Sequence, residues 1–140
     1  MAGELFKTPV SVRFRDIDAN GHVNHVVFCT YFEEARKAFF RDLLKITGFS
    51  PFPFIMARIS CDYLKAINLD TKLLLLMWVS DMGKKSFSLG YKITDLSDES
   101  VIYATGETVQ VCFDYILDKS IDMPVTFREM LNNYHVPGYK

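Results

Sequence analysis

The longest regular pattern of apolar positions along the chain is that of a helix. Apolar residues recur at spacings of three and four between Phe28 and Leu43, which is the period of a helix with a buried face. Asn24 stands where an N-cap is expected and Gly48 where a C-cap is expected, so these residues bound the predicted helix. Further apolar residues widen the stripe and predict a helix buried on most sides: Val27, Tyr31, Ala38 and Phe40.

Most of the remaining chain has the pattern of β-strands. Residues 10–15 alternate between apolar and polar side chains, and four strand-like segments follow the helix, at 54–64, 71–80, 86–93 and 101–115. Short connections between consecutive strands predict an antiparallel sheet with the long helix on one face. A second, short helix is predicted within residues 123–134, with Pro124 in its first turn. We therefore expect an α+β protein with a single domain over residues 1–140.

Alternation within the segment 54–64 also predicts which of its side chains share a face. Successive residues of a strand point to opposite faces of the sheet. One face is therefore expected to carry five side chains, those of Ile55, Ala57, Ile59, Cys61 and Tyr63.

Composition narrows the classes of function. With 140 residues, 49% of them hydrophobic, the chain is long enough to build one core. The net charge of −1 offers no electrostatic attraction for nucleic acid. The longest apolar run, Leu73–Val79, is too short to span a membrane, and the N-terminal residues lack an apolar signal core, so we expect a cytoplasmic protein. The three cysteines form no CxxC pair, which favours reduced thiols over a zinc site or disulfides.

The polar segment RDIDANGHVN, Arg15–Asn24, holds the candidate chemistry. It opens like a calcium loop because two acids and an amide alternate and a glycine follows: Asp16, Asp18, Asn20 and Gly21. Position twelve of such a loop requires a glutamate and is Val27 here, and the preceding segment has a strand pattern instead of a helical one. The sequence therefore disfavours a calcium site.

A transition-metal site is the second interpretation of this segment. Its carboxylates and imidazoles are suitable ligand types for zinc or iron. The four candidates do not follow an established ligand spacing: Asp16, Asp18, His22 and His25. We expect no metal here.

A purely structural interpretation pairs the two acids with Arg13 and Arg15 and makes Asn24 the helix cap. It leaves unexplained why so many polar groups converge where a strand meets a largely buried helix. At a helix start, unpaired backbone N–H groups and the helix dipole favour negative charge. A carboxylate and an imidazole beside such donors form the combination of a general base and an oxyanion hole.

The segment RDIDANGHVNHVVFCTYFEEAR resembles the signature D-x-D-x-x-G-x-V-x-H/N-x-x-Y...E-x-A-R of hotdog-fold acyl-CoA thioesterases. The likeness is to the 4-hydroxybenzoyl-CoA thioesterase family, in which the Tol-Pal-associated thioesterases form a branch. It extends from about Val10 to Leu131 through GKKSFSLGYKI, ATGETVQVCFD and IDMPVTFREML. The implied fold is a five-stranded antiparallel sheet wrapped around one long central helix. The implied activity is hydrolysis of acyl-CoA thioesters to free acid and CoA, without a cofactor.

The resemblance also implies roles for residues of the loop. Asp18 falls on the family's catalytic carboxylate, which acts as a general base on water or attacks the carbonyl as a nucleophile. His25 falls on the histidine of the helix's first turn. The backbone N–H groups of His25 and Val26 are the expected oxyanion hole, and Asp16 is expected to brace the loop.

A second family pattern, G-H-V-N, overlaps the first. His22 and Asn24 belong to it, and this chain carries both patterns at once. The resemblance therefore leaves open whether His22 or His25 faces the thioester.

The resemblance further implies a phosphate-bearing ligand and an oligomer. Coenzyme A needs basic partners, and Lys84 and Lys85 are the candidates by position. Ser86, which follows them, is expected near the CoA by the same resemblance. An acyl carrier protein is an alternative carrier, and the acyl group, fatty or aromatic, stays open. Hotdog proteins pair their sheets edge to edge, so a homodimer or homotetramer is expected.

Two other functions compete with hydrolysis. Hotdog hydratases and dehydratases carry G-D-x-N-P-x-H; the stretch Asp18–His22 is similar, but its histidine is one residue early and Gly21 replaces the proline. The second alternative is a non-catalytic module that binds acyl-CoA. Such a module would be expected to lose Asp18 or His25, and both are present.

Overall fold

Five long strands form one antiparallel sheet. The computed structural model describes residues 3–45 and 52–139. The strands are β1 (Phe6–Ser11), β2 (Phe54–Tyr63), β3 (Lys72–Met82), β4 (Ser86–Asp95) and β5 (Ile102–Asp114). Their order across the sheet is β1-β3-β4-β5-β2. A two-residue strand, β6 (Lys119–Ser120), pairs with the end of β5.

The long helix, α1, comprises His25–Leu44 and packs on one face of this sheet. Its buried side chains are Phe28, Tyr31, Phe32, Ala35, Phe39 and Phe40. The expected α+β architecture, a five-stranded antiparallel sheet with one long helix, is confirmed. Burial of each large ring contributes about 1.5–3 kcal/mol to folding.

The predicted caps of the helices meet different outcomes. Asn24 is the N-cap of α1, as expected. The helix ends at Leu44, before the predicted C-cap, because Lys45 adopts a left-handed backbone with φ of 54°. Gly48 itself lies outside the described residues. The second helix, α2, comprises Val125–Asn132 and begins directly after Pro124.

The predicted strand at residues 10–15 is wrong in its position. The strand β1 starts earlier, at Phe6, and its pairing with β3 stops at Ser11. Residues Phe14–Asp16 form a 3-10 turn, with Phe14 82% exposed. The turn closes because the Asp16 N–H donates to the carbonyl of Arg13 and the Arg13 N–H donates to the Asp16 carboxylate, both at 2.9 Å.

The predicted shared face of β2 is wrong at its beginning. A β-bulge between Met56 and Arg58 leaves Ala57 without a direct partner on β5. One extra residue reverses the alternation on one side of the bulge. Met56 therefore pairs with the buried Gln110 on the helix side, while Ile55 points away from α1.

Close packing joins α1 to the middle of the sheet. The ring of Phe32 stacks on that of Tyr91 with centroids 4.5 Å apart. It also lies against Gly106 of β5, where a Cβ atom would approach the ring to 2.5 Å and the carbonyl oxygen of Ser60 to 2.8 Å. Gly106 thus gives the helix room to approach the sheet.

The two ends of the sheet carry different loops. The start of α1 lies at the end where β2 finishes with Tyr63, since the Tyr63 hydroxyl contacts His25 there. The turn that leads into Ser86 lies at the other end. Ser86 pairs with Val111 of β5, and Val111 pairs on its other side with Ile55, near the start of β2. At roughly 3.3 Å per residue, the nine steps of β2 separate these ends by about 30 Å.

We expect Gly106→Ala to lower the free energy of unfolding by about 1–3 kcal/mol, because the new methyl group overlaps the Phe32 ring. Denaturant unfolding of Gly106→Ala, Phe32→Leu and the double variant measures this. The smaller leucine side chain removes the overlap with the ring. The double variant should therefore lose less free energy of unfolding than the sum of the losses in the two single variants. Additive effects would contradict the packing described.

Candidate active site

Asp16 anchors the polar loop to the core. It is only 6% exposed, and its Oδ2 accepts hydrogen bonds from the backbone N–H of Arg13 at 2.9 Å and the hydroxyl of Tyr31 at 2.7 Å. Its carbonyl accepts the N–H of Asn24 at 2.8 Å. Burial and the bond to Asp16 raise the pKa of Tyr31, so its hydroxyl keeps its proton. The buried carboxylate thereby joins the loop to the helix.

Asp18 closes the loop with one of its two oxygens. Residues 17 and 23 are bridged, and the Asp18 N–H donates to the carbonyl of His22 at 2.8 Å. The Oδ1 atom accepts the N–H groups of Asn20 at 2.8 Å and His22 at 3.3 Å. Gly21 turns the chain with φ of 79°. Within residues 3–45 and 52–139, no group donates to Oδ2 of Asp18, so that oxygen is available to a ligand.

Among the described residues, the start of α1 presents one backbone donor without a partner. The N–H of Val26 donates to Oδ1 of Asn24 at 3.0 Å, and that of Val27 to the carbonyl of Asn24 at 2.9 Å. The N–H of His25 has no partner in the part of the chain that the structure describes. Of the two expected oxyanion donors, Val26 is therefore engaged by the cap, and His25 remains free.

A cleft of about 360 Å³ brings the predicted residues together. Asp18, His22 and His25 line it. The remaining walls come from the end of the Asp18 loop, from α1, from the end of β2 and from the loop after β2: Val23, Phe28, Tyr63, Leu64, Lys65 and Ala66. Both histidines are exposed, so the geometry gives each of them access to a ligand in the cleft.

Tyr63 connects β2 to the helix start. Its hydroxyl donates to the carbonyl of His25 at 2.9 Å. Its ring packs edge-on against Phe28, at 4.9 Å between centroids, and lies 6.2 Å from the imidazole of His25. Burial raises the pKa of Tyr63 to about 12, so the hydroxyl is a hydrogen-bond donor at neutral pH.

The structure does not bring the predicted CoA-binding residues to this cleft within one chain. Lys84 and Lys85 lie in the turn between β3 and β4, and Ser86 begins β4, at the opposite end of the sheet. Lys84 faces the carboxylate of Asp122 at 3.8 Å. The lysine that lines the cleft is Lys65.

The purely structural pairing of the two acids with arginines is also corrected. Arg13 forms its ion pair with Glu34 of α1, at 2.7 Å. Neither Asp16 nor Asp18 forms a salt bridge among the described residues. Asp16 is held by uncharged donors instead, and Asp18 by the backbone of its own loop.

Sequence reasoning missed Phe28, Tyr63 and Lys65 as members of the site. Phe28 was predicted for the core, where it is indeed buried, yet its ring also borders the cleft. A usable signal was the alternation of β2, which groups Tyr63 with Ile59 and Cys61 on one face of the sheet. The signal was incomplete because the pattern does not show which end of β2 meets the start of α1.

Two kinds of feature are absent from the described part of the chain. Among residues 3–45 and 52–139, no group of three or more His, Cys, Asp or Glu side chains is arranged to hold a metal ion. In the same residues, no helix is long and apolar enough to cross a membrane.

Several solved structures with the same architecture carry the name thioesterase. A predicted thioesterase from Bacillus stearothermophilus superimposes with a TM-score of 0.88 over 97% of this chain and 100% of that one, at 20% identity. A thioesterase from Thermus thermophilus, complexed with coenzyme A and Zn, gives a TM-score of 0.75 at 30% identity, over 89% and 90% of the two chains. These likenesses define the fold as a hotdog.

The sequence itself identifies the family. Residues 12–131 match the Thioesterase-like superfamily, and the chain belongs to that family. The uncharacterized protein YsmA of Bacillus subtilis (strain 168) is 33% identical over 106 residues, which cover 76% of this chain and 71% of YsmA. The expected Tol-Pal-associated branch stays a prediction.

Proposed function

We propose that this protein hydrolyses acyl-CoA thioesters to the free acid and CoA. The observation that carries the proposal is a single cleft in which Asp18 has one carboxylate oxygen fixed and the other free, beside the free N–H of His25. Membership of the Thioesterase-like superfamily supports hydrolysis. The bound coenzyme A of the Thermus thermophilus thioesterase supports CoA as the carrier.

The chemistry needs little beyond these groups, because a thioester is already activated. Oδ2 of Asp18 takes a proton from water as the water oxygen attacks the carbonyl carbon, or it attacks that carbon itself and water later cleaves the anhydride. In both routes the carbonyl oxygen becomes an oxyanion, which the N–H of His25 and the positive end of α1 stabilise. Collapse of the tetrahedral intermediate breaks the carbon–sulfur bond and releases the thiolate, which takes up a proton.

His22 and His25 both have access to the departing thiolate. His25 lies on the first turn of α1, beside the proposed oxyanion donor, and His22 lies at the end of the Asp18 loop. An imidazole at either position is able to donate the proton that the sulfur needs. We assign this role to His25, and His22 and Asn24 support the loop and the cap.

Asp18→Asn should abolish thiol release from acyl-CoA thioesters, lowering kcat at least about 10³-fold, because the amide neither accepts a proton nor attacks a carbonyl. The measurement is free-thiol release from short, long and aromatic acyl-CoAs in the presence of EDTA. Asp98→Asn is the matched control, since Oδ1 of Asp98 also holds a backbone N–H, that of Ser100, in a turn that does not line the cleft. His25→Gln and His22→Gln then rank the two imidazoles.

Other outcomes of that experiment point to other functions. Equal rates in the Asp18→Asn and native proteins would overturn the assignment of Asp18. Activity that EDTA removes would indicate a metal-dependent enzyme. Water addition to an unsaturated acyl-CoA would indicate a hydratase, and binding without turnover would indicate an acyl-CoA-binding module.

Lys65 is the proposed first contact for the phosphates of CoA. It lines the same cleft as Asp18, on the loop that follows β2. Its backbone N–H donates to the carbonyl of Tyr103 at 3.1 Å, which holds that loop against β5. A mobile ammonium group on an anchored backbone suits a flexible, charged ligand.

Replacing Lys65 by Gln should raise KM for an acyl-CoA about 2- to 5-fold at unchanged kcat, because an exposed ion pair contributes about 0.2–1 kcal/mol. The same acyl group on N-acetylcysteamine, which lacks phosphates, should show no change. Lys37→Gln, on the exposed side of α1, is the control. An equal rise in KM for both thioesters would argue against a phosphate contact.

We further propose that a second copy of the chain pairs with the free edge of β2. This strand ends the sheet, and several of its apolar side chains are exposed, among them Ile55, Met56 and Ile59. Arg58 and Asp62 lie two residues on either side of Ser60, on the face away from α1. In an antiparallel pair centred on Ser60, each Arg58 is opposite an Asp62 of the other copy, which is a favourable cross-strand pair.

Such a dimer offers a role for the predicted residues Lys84, Lys85 and Ser86. Antiparallel pairing sets the Phe54 end of one β2 beside the Tyr63 end of the other. Ser86 lies on β4, two strands in from β2. At about 4.8 Å per strand, Ser86 would then lie roughly 14 Å from the other copy's β2, a distance that the long CoA molecule is able to bridge. The part of Lys84, Lys85 and Ser86 in CoA binding stays a proposal that depends on the dimer.

Charge reversal tests this pairing. Arg58→Asp and Asp62→Arg should each weaken the dimer, because like charges then lie opposite each other, and the double variant should restore it by reversing both. Light scattering coupled to gel filtration gives the mass of each. The proposed pairing centred on Ser60 would be overturned if the native protein is monomeric. It would also be overturned if the double variant dimerises no more tightly than the single variants.

A further inference from the structure

We propose that Tyr63 is a positioning residue of this active site: its hydroxyl fixes the first peptide groups of α1, so that the His25 N–H keeps one orientation toward the thioester oxygen. The inference rests on the proposed thioesterase function and concerns a residue outside the family signature in the Asp18 loop. It starts from the hydrogen bond between the Tyr63 hydroxyl and the carbonyl of His25, at 2.9 Å.

Two consecutive peptide groups at the helix start are held by this bond and the cap together. The first peptide group joins Asn24 to His25 and contains the His25 N–H. Its carbonyl, that of Asn24, accepts the N–H of Val27. The next peptide is held at both ends, because the Val26 N–H donates to Asn24 Oδ1 and the His25 carbonyl accepts from Tyr63. Of the three groups that hold these peptides, the Val27 N–H and Asn24 Oδ1 belong to the helix or its cap. The third, the Tyr63 hydroxyl, ties them to the sheet.

An external tie matters here because the first turn of a helix frays readily. A free N–H stabilises an oxyanion only if it already points at the place where charge develops. The edge-on contact of the Tyr63 ring with Phe28, which is buried, limits the movement of the tyrosine itself. The tie is therefore anchored in the core, although Tyr63 is 48% exposed.

The ring and the hydroxyl of Tyr63 have separable effects. The ring borders the cleft and contacts Phe28, so its removal would change the shape of the site. The hydroxyl contacts the backbone of His25, so its removal changes the orientation of the donor and leaves the walls intact. Tyr63→Phe isolates the second effect.

The matched control is Tyr103→Phe. Tyr103 also donates its hydroxyl at 2.9 Å, to Oδ2 of Asp95, at the same end of the sheet, and it does not line the cleft. Either substitution removes one partly exposed hydrogen bond, worth about 0.5–1.5 kcal/mol of stability. A merely structural role of Tyr63 would make the two variants alike.

We expect Tyr63→Phe to lower kcat for an acyl-CoA about 5- to 100-fold with little change in KM, less than the roughly 10²–10³-fold cost of losing a donor outright. Tyr103→Phe should leave kcat unchanged. A spectroscopic readout accompanies the kinetics. The carbonyl stretch of a ¹³C-labelled thioester bound to Asp18→Asn should shift to lower frequency, and Tyr63→Phe in that background should reduce or broaden the shift.

The outcomes separate this inference from the proposed function. If the native protein releases no thiol from acyl-CoAs, the proposed function fails and the role of Tyr63 falls with it. If the native protein is active but Tyr63→Phe retains kcat within about twofold, or loses it only in parallel with Tyr103→Phe, the positioning role alone is overturned. An effect confined to KM or to the melting temperature would also overturn it.

Discussion

The hydrogen bond between the Asp16 carboxylate and the Tyr31 hydroxyl is the constraint on which the candidate site depends. A buried carboxylate is costly unless donors satisfy it, and here a backbone N–H and a buried tyrosine do so. Because Tyr31 lies within α1 and Asp16 near the start of the loop, this contact ties the segment that contains Asp18 to the helix that follows it. The loop is therefore placed by the core, and its polar surface is free for chemistry.

Asp16 and Asp18 are two residues apart but have opposite environments. Ile17 between them is bridged to Val23, so the chain is locally extended as it leaves the turn. The first carboxylate closes that turn from inside the core, whereas the second lines a cleft and closes the next turn with a single oxygen. A shared residue type therefore supplies two functions, and the difference comes from burial and hydrogen-bond partners.

Local patterns were sufficient for the architecture and for the loop. The period of the apolar residues in α1 and the N-cap at Asn24 are properties of neighbouring residues, and they were predicted correctly. The end of β1 at Ser11 and the bulge at Ala57 were not predicted, because each depends on pairing with a strand distant in sequence. The same limit explains why Tyr63 and Lys65 were not predicted as members of the site. Their place in the cleft follows from where β2 ends relative to α1, which no local pattern contains.

The geometry of β2 links assembly to the site. No strand among residues 3–45 and 52–139 pairs with the outer edge of β2, and exposed strand edges tend to acquire a partner. The last residue of this strand, Tyr63, is also the one that contacts the start of α1. A strand added to that edge would restrict the twist and fraying of β2, and through Tyr63 it would restrict the helix start as well. If a second copy binds this edge, as proposed, it would also stabilise the backbone donor at His25, so that dimerisation and the order of the candidate site would depend on the same strand.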